Sequence, residues 1–276
     1  MDEKGIRQEL LALRRDIFIT GFKGKMAHLA SCFSCLEILY SLYLDGVLRL
    51  DHDAPTWPDR DRFILSKGHG GLALYAVLRR AGLLEDRVYR SYLQEDAMIG
   101  GEPCTRDCPW VESSTGSLGH GLPVGVGMAI ALQRDHSPAK VYVLLGDGEC
   151  EEGTVWEAAM SAAAFGTDNL TAILDCNEIQ KMGFVKDTIG NPAWIERWQS
   201  FGWTVEEVDG HDVRALTQTL SKDNQTGKPR LVIAHTVKGK GVSIMENNPN
   251  WHFKLPNRKE LKVFKTELEI PDSELE

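Results

Sequence analysis

Four short segments of this sequence carry residues able to hold a metal, an anion or a proton, three of them among glycines. Gly146-Asp147-Gly148 follows an apolar run at 141–145, and Asn177 stands 30 residues beyond Asp147 in Asp175-Cys-Asn177-Glu-Ile179. Ser66-Lys-Gly-His69 follows Phe63-Ile-Leu65, and His235-Thr-Val-Lys-Gly-Lys-Gly241 follows another apolar run. A carboxylate and an amide oxygen are hard ligands suited to Mg²⁺, which usually keeps places for water and substrate phosphates. Glycines on both sides of Asp147 let backbone N–H groups approach a diphosphate, and a helix starting just afterwards favours an anion. A lone Gly-Asp-Gly is equally at home in a tight turn. Its placement between a buried strand and a helix is what raises its interest.

The elements needed to position these segments are legible. Apolar positions Leu10, Leu13 and Ile17 predict a helix over 6–22. Ser34-Cys-Leu-Glu37 has the pattern of a capping box, opening a helix that runs to about residue 44. Residues 51–62 form a Pro- and Asp-rich loop, 63–65 a short strand, and a helix follows to about 81. Residues 95–118 are irregular, and 119–133 is a Gly- and Ala-rich helix able to pack closely. Strands at 141–145, 170–175, 204–208 and 230–236 then alternate with helices at 152–165, 192–201 and 213–220. Such alternation predicts an α/β fold, a parallel sheet with helices on both faces. Ligands of open parallel sheets sit at the carboxyl ends of the strands, where all four segments fall. One strand–turn–helix–strand unit separates Asp147 from Asn177, which puts them side by side on one sheet edge.

The chain has 276 residues, 42% hydrophobic and 26% charged, with 40 acidic against 31 basic residues and a formal charge of −9. This is an ordinary globular composition, with length enough for a full core. The acidic balance argues against nucleic acid as a partner. No segment has the length of a membrane span or the form of a secretory signal, so the expected location is cytoplasmic and the six cysteines reduced. Cys32, Cys35, Cys104 and Cys108 form two close pairs that leave a zinc site open beside buried, packed thiols. One domain is expected over 1–259, with 260–276 a charged tail that frays.

Taken together, the segments resemble transketolase. Gly146-Asp147-Gly148, a 27-residue gap and Cys176-Asn177 are similar to the thiamine-diphosphate motif, with Cys176 in place of the first Asn of its usual pair. Ser66-Lys-Gly-His69 resembles the family's SKGH loop, and Ser114-Thr-Gly-Ser-Leu-Gly-His-Gly121 its STGSLGxG segment. Gly146-Asp-Gly-Glu-Cys-Glu-Glu-Gly153 with Trp156-Glu-Ala158 resembles GDGExxEGxxWEA. Gly202-Trp203 to Asp212, Lys238 to Val242 and Glu246 to His252 complete a series whose order matches from about residue 10 to 255. The resemblance is to the family's amino-terminal, diphosphate-binding (PP-type) half.

This resemblance implies thiamine diphosphate and Mg²⁺ as cofactors, with Asp147 and Asn177 binding the metal by side chain and Ile179 by its carbonyl. It implies cofactor contacts from His69, Gly116, Ser117, Leu118, Gly146, Asp147, Gly148, Glu149, Asn177 and His252. His28, His69 and His252 match catalytic histidines, with His28 moving protons to and from substrate hydroxyls. Glu152 and Glu157 match acids at a subunit interface. No role is expected for His52, His120, His136 or His211. The implied reaction moves a two-carbon ketol unit from a ketose donor to an aldose or related acceptor. The family's pyrimidine-binding domain, with the acid that activates the cofactor, follows the part matched here. The expected partner is therefore a separate carboxyl-terminal subunit, in an α2β2 heterotetramer.

The departures from the family pattern bear on the substrate. Met26-Ala-His-Leu-Ala-Ser31 replaces two small residues of SGHxGG, and Gly101-Glu102-Pro103 stands where the family has GHP. Either Glu102 replaces the donor-site histidine, or the 100–110 loop is registered differently. Three alternatives stay open: a subunit of a 2-oxoacid dehydrogenase-type thiamine enzyme, a ketol transferase that loads a carrier protein, and a non-catalytic regulatory remnant.

Overall fold

The computed structural model describes residues 2–275. Helix α1 (Glu3–Lys23) is capped by Asp2, whose carboxylate accepts from the Gly5 N–H, and buries Leu10, Leu13 and Ile17. Two short helices follow, α2 (Leu29–Ser34) and α3 (Leu36–Tyr43), then strand β1 (Arg62–Leu65) and helices α4 (Gly71–Arg80) and α5 (Asp86–Arg90). The expected capping box does not form. Helix α3 starts at Leu36 without a side-chain cap, and the Ser34 hydroxyl instead bonds Asp175 Oδ2 at 2.7 Å. Glu37 is drawn into an ion pair with Arg14. Tertiary partners have outcompeted the local cap.

The long irregular stretch leads into α6 (Gly121–Arg134), then β2 (Val141–Gly146), α7 (Gly153–Phe165) and β3 (Leu170–Cys176). A two-stranded hairpin, β4 (Ile179–Gln180) with β5 (Gly183–Phe184), leads to α8 (Val185–Ile189) and α9 (Trp194–Ser200). Strand β6 (Thr204–Asp209), α10 (Val213–Leu220) and β7 (Arg230–His235) complete the sheet. Its order is β1-β2-β3-β7-β6, and every pairing is parallel. In β2 and β3 nearly all residues are apolar, as a sheet covered on both faces requires. Tyr142, Leu144, Ile173 and Val232 join a core with α1, α2, α3, α4 and α10. The alternate residues Val141, Val143, Leu145, Ala172, Leu174 and Ile233 pack with α6, α7 and α9.

The segment from Glu260, expected to fray, is instead helix α11 (Glu260–Glu267), with Phe264 and Leu268 fully buried. Phe264 stacks on Phe18 with ring centroids 4.6 Å apart, and the Leu268 carbonyl accepts from Arg15 Nε at 2.8 Å. Two well-placed apolar residues outweigh the charge around them. Among the described residues no helix is long and apolar enough to cross a membrane. Cys32 and Cys35 are fully buried, and burial pushes their thiols up to about 11 and about 12. The described residues contain no group of three or more His, Cys, Asp or Glu side chains able to hold a metal, so the four thiols do not assemble into a zinc site.

Close packing of α6 rests on a missing side chain. A Cβ on Gly125 would lie 2.5 Å from Val143 Cγ2 in the sheet, while one on Gly127 in the same helix would meet nothing within 4 Å. Gly125→Ala is expected to lower stability by about 1–3 kcal/mol through overpacking. Gly127→Ala should be neutral or stabilising by up to about 1 kcal/mol. Urea denaturation of both variants checks this; equal midpoints would contradict the packing.

Candidate active site

The register of the sheet sets the geometry of the site. Gly146 pairs with Asp175 across β2 and β3, and Cys176 with His235 across β3 and β7. The turns after β2, β3 and β7 therefore leave the sheet side by side, next to the Ser66–His69 loop after β1. These four turns, with the Gly116–Leu118 loop and the start of α2, enclose a cavity of about 260 Å³. It is lined by His28, His69, His252, Gly116, Leu118, Gly146, Asp147, Gly148, Glu149, Asn177 and Ile179. Eleven of the twelve site residues expected from the sequence thus meet in one place. Ser117, the twelfth, is exposed on the same loop and is not part of the lining.

Glycines allow the loops to approach this closely. A Cβ on Gly68 would sit 2.7 Å from the Gly116 nitrogen, so the two loops touch backbone to backbone. Gly116 has φ +138, a conformation glycine adopts most readily. Glu149 is buried and ties the loops together. Its carboxylate accepts from the Ser66 hydroxyl, from Gly119 N at 2.9 Å and from Gly146 N at 3.0 Å. Both its oxygens accept from these groups, so Glu149 holds the cavity wall together.

The metal-ligating candidates centre on one buried carboxylate. Asp147 is buried, accepting from Gly148 N at 2.8 Å and from Glu178 N. Burial, followed by the nearby Asp175, pushes its carboxyl up to about 7, with Lys238 and the backbone donors pulling the other way. Asn177 Oδ1 accepts from Ile179 N at 3.2 Å, and the Ile179 carbonyl accepts from Lys238 Nζ at 2.8 Å. One carboxylate, one amide oxygen and one carbonyl are the donor types Mg²⁺ takes, and a buried carboxylate raised this far gains from a cation. The residues present fit the metal.

Three histidines from distant parts of the chain meet above this set. The His28 ring centroid lies 5.5 Å from His69 and 5.7 Å from His252, with His69 and His252 6.0 Å apart. Burial, reinforced by Lys238, lowers His28 to about 4 and His252 to about 3. His69, more deeply buried, lies well below the ordinary value, with Lys67 adding to the effect. All three are neutral at pH 7, each able to donate through one ring nitrogen and accept through the other.

Sequence reasoning gave no role to the lysines beside them. Lys67 is buried and paired with Asp175, which also accepts from Ser34 and Thr236. Lys238 reaches His252 Nδ1 at 3.0 Å. Both lysines directly precede a glycine just beyond a strand end, and that shared pattern is the signal that could have found them. Glu102 lines the cavity, with its carboxylate against Gly116, which favours its placement in the site over a shifted loop register. His235 faces elsewhere, bonding Glu207 at 2.7 Å. His211, given no role, is mostly buried and accepts from Val237 N at 2.8 Å.

Residues 21–274 match the family described as "Transketolase, thiamine diphosphate binding domain". The chain belongs to the transketolase family. It is 40% identical over 264 residues to one subunit of the apulose-4-phosphate transketolase of Actinobacillus succinogenes, covering 95% of each chain. It is 37% identical over 226 residues to the 6-deoxy-6-sulfo-D-fructose transketolase subunit SqwG of a Clostridium species, covering 81% of this chain and 82% of that one. Among solved structures, the transketolase of Campylobacter jejuni superposes with a TM-score of 0.89 at 26% identity, covering 100% of this chain and 45% of that one. The chain therefore spans less than half the length of the Campylobacter transketolase and nearly all of the Actinobacillus subunit. The family match runs on through α11.

The depressed histidines have a consequence for pH. The ordinary imidazole value is 6.5, so between that pH and about 4 the unfolded chain holds protons on His28 and His252 that the folded chain does not. Their contribution to stability is present above pH 6.5 and is lost as pH falls through that window. Asp147, raised in the fold, acts in the opposite direction. The double variant His28→Asn/His252→Asn should flatten the pH 4–6.5 limb of the stability curve, measured by denaturant titration. An unchanged limb would show that these imidazoles are not buried neutral.

Proposed function

We propose that this chain is the diphosphate-binding subunit of a two-subunit, thiamine-diphosphate- and Mg²⁺-dependent transketolase. Its reaction moves a two-carbon ketol unit from a ketose donor to an aldose or related acceptor. The observation that carries this reading is the convergence of Asp147, Asn177 and the Ile179 carbonyl with three neutral histidines in one cavity at the strand ends. The near end-to-end match to a relative that is itself named as one subunit of a transketolase supports the two-subunit organisation. The family match favours transketolase over the 2-oxoacid dehydrogenase alternative.

In this reading Asp147, Asn177 and Ile179 would hold the metal, and the Gly148 N–H, which here donates to Asp147 Oδ1 at 2.8 Å, would be shared with the diphosphate. When bound, the cofactor supplies the electron sink that a broken carbon–carbon bond requires. The protein's work is to orient, exclude water and move protons. Neutral imidazoles at His28, His69 and His252 suit proton transfer to and from substrate hydroxyls, because each can accept before it donates. Glu102 offers a carboxylate at the cavity wall, an acceptor for donor-sugar hydroxyls, and we assign it the choice of donor. Phe253, 67% exposed with its ring 4.8 Å from His28, marks a rim open for a second subunit to cover. Val124, Met160 and Phe165 lie exposed on α6 and α7, with the exposed acids Glu157 on α7 and Glu152 just before it. This is surface available to other subunits of an α2β2 assembly.

Assembled with its pyrimidine-binding partner, the chain should catalyse ketol transfer, and alone it should not. Turnover by the pure chain would contradict the split-site reading. Asp147→Ala should weaken Mg²⁺-dependent cofactor binding by the complex by about a hundredfold or more; calorimetry showing unchanged affinity would remove the metal assignment. Glu102→Gln should reduce kcat/KM for the preferred donor by about tenfold and leave the acceptor's KM unaltered. Equal loss for every donor in a panel would assign Glu102 a structural role.

A further inference from the structure

We infer that Glu37, with Arg14 and His211, forms a buried clamp that positions Lys238. The inference rests on the reading of the cavity as the cofactor site. After Thr236, whose N–H donates to the Cys176 carbonyl at 3.1 Å, the chain leaves the sheet, and residues 237–241 need other anchors. Two come from behind the cavity. His211 Nε2 accepts from Val237 N at 2.8 Å, and Arg14 Nε donates to the Lys240 carbonyl at 2.8 Å. A third bond, Gly239 N to the Ala30 carbonyl at 3.0 Å, ties the loop to α2.

Both side-chain anchors hang from one carboxylate. Glu37 Oε1 lies 2.5 Å from Arg14 Nη2, and Oε2 lies 3.1 Å from His211 Nδ1. Neither Glu37 Oε2 nor His211 Nδ1 makes an aligned hydrogen bond, to the other or to any further group; the two are held as a close, buried polar contact. The Glu37 side chain is 4% exposed and that of His211 13%, so their contact is shielded from water and electrostatically strengthened by burial. Because Nε2 accepts from Val237, the imidazole proton belongs on Nδ1, the nitrogen that faces Glu37 Oε2 at 3.1 Å. Gly241, at φ +96, completes the fit: a Cβ there would lie 2.9 Å from Arg14 Cδ. The clamped loop carries Lys238 to His252 Nδ1 and the Ile179 carbonyl. Active groups must be held to a fraction of an ångström. Glu37, Arg14 and His211 are thus positioning residues, acting through Lys238.

Two variants separate the clamp from bulk packing. His211→Gln keeps an acceptor near the Nε2 position, whereas His211→Phe keeps ring volume and loses both polar atoms. In the complex with the partner subunit, calorimetry should show thiamine diphosphate with Mg²⁺ bound about tenfold more weakly by His211→Phe, with affinity restored to within about threefold by His211→Gln. In a Lys238→Met background the His211→Phe effect should shrink to less than about twofold. Normal binding by His211→Phe, or an undiminished effect without Lys238, would overturn the proposal. An independent readout needs no cofactor. In the ¹⁵N-histidine spectrum of the wild-type chain, His211 should carry its proton on Nδ1, and the Val237 amide should exchange slowly. A proton on Nε2 would overturn the clamp even if His211→Phe fails to fold. Wild-type protein that shows both signatures yet binds no cofactor would overturn the cofactor reading and leave the clamp standing.

Discussion

The ion pair of Lys67 with Asp175, under the floor of the cavity, is the interaction on which the site depends. Asp175 ends β3 and accepts from Lys67 after β1, from Ser34 at the end of α2 and from Thr236 after β7. Four elements that carry site residues are therefore fastened to one carboxylate. Burial works against its charge, but Lys67 and the two hydroxyls hold it below the ordinary value. Breaking such a pair by removing one partner costs about 3–5 kcal/mol. The same negative charge helps push Asp147 up to about 7, so the anchor that builds the site also leaves it in want of a cation.

Above this anchor, the site is a matter of close backbone approach. Glu149 spans the turn after β2, the Ser66 loop and Gly119, while Gly68 and Gly116 allow two loops to touch. The helix that follows this wall is drawn onto the sheet at Gly125. Close approach of backbones brings the Gly146–Gly148 turn to the cavity wall, where Glu149 holds the Gly146 N–H and Asp147 the Gly148 N–H. On the proposed function, the overall charge of −9 is no obstacle to a diphosphate, because local donors and a metal would meet the anion.

The fold and much of the site were legible because both are written locally. Uninterrupted apolar runs marked β2 and β3, and glycines beside Asp147 and His69 marked the turns. The 30-residue interval to Asn177 followed from one crossover unit. What escaped was written across long separations. Nothing near Lys67 points to Asp175, 108 residues away, and nothing near Glu37 points to His211. A capping-box pattern at Ser34 and Glu37 was overruled by those same distant partners. The charged segment after Glu260 hid Phe264 and Leu268, and Phe264 is buried against Phe18 and Trp251 elsewhere in the chain. Ser117 is exposed on its loop, and Glu149, which lines the cavity, also ties three backbone segments together through Ser66, Gly119 and Gly146.

The central claim is that the oxygens of Asp147, Asn177 and Ile179 hold the metal of a diphosphate site completed by a second subunit. The most direct measurement is a crystal structure of the assembled protein grown with Mn²⁺ in place of Mg²⁺ and thiamine diphosphate, with anomalous scattering locating the metal. The account predicts one strong peak between Asp147 and Asn177, bridged to the diphosphate, with the partner subunit over the histidine rim. A metal peak elsewhere, or a cofactor seated away from the Gly146–Gly148 turn, would contradict it.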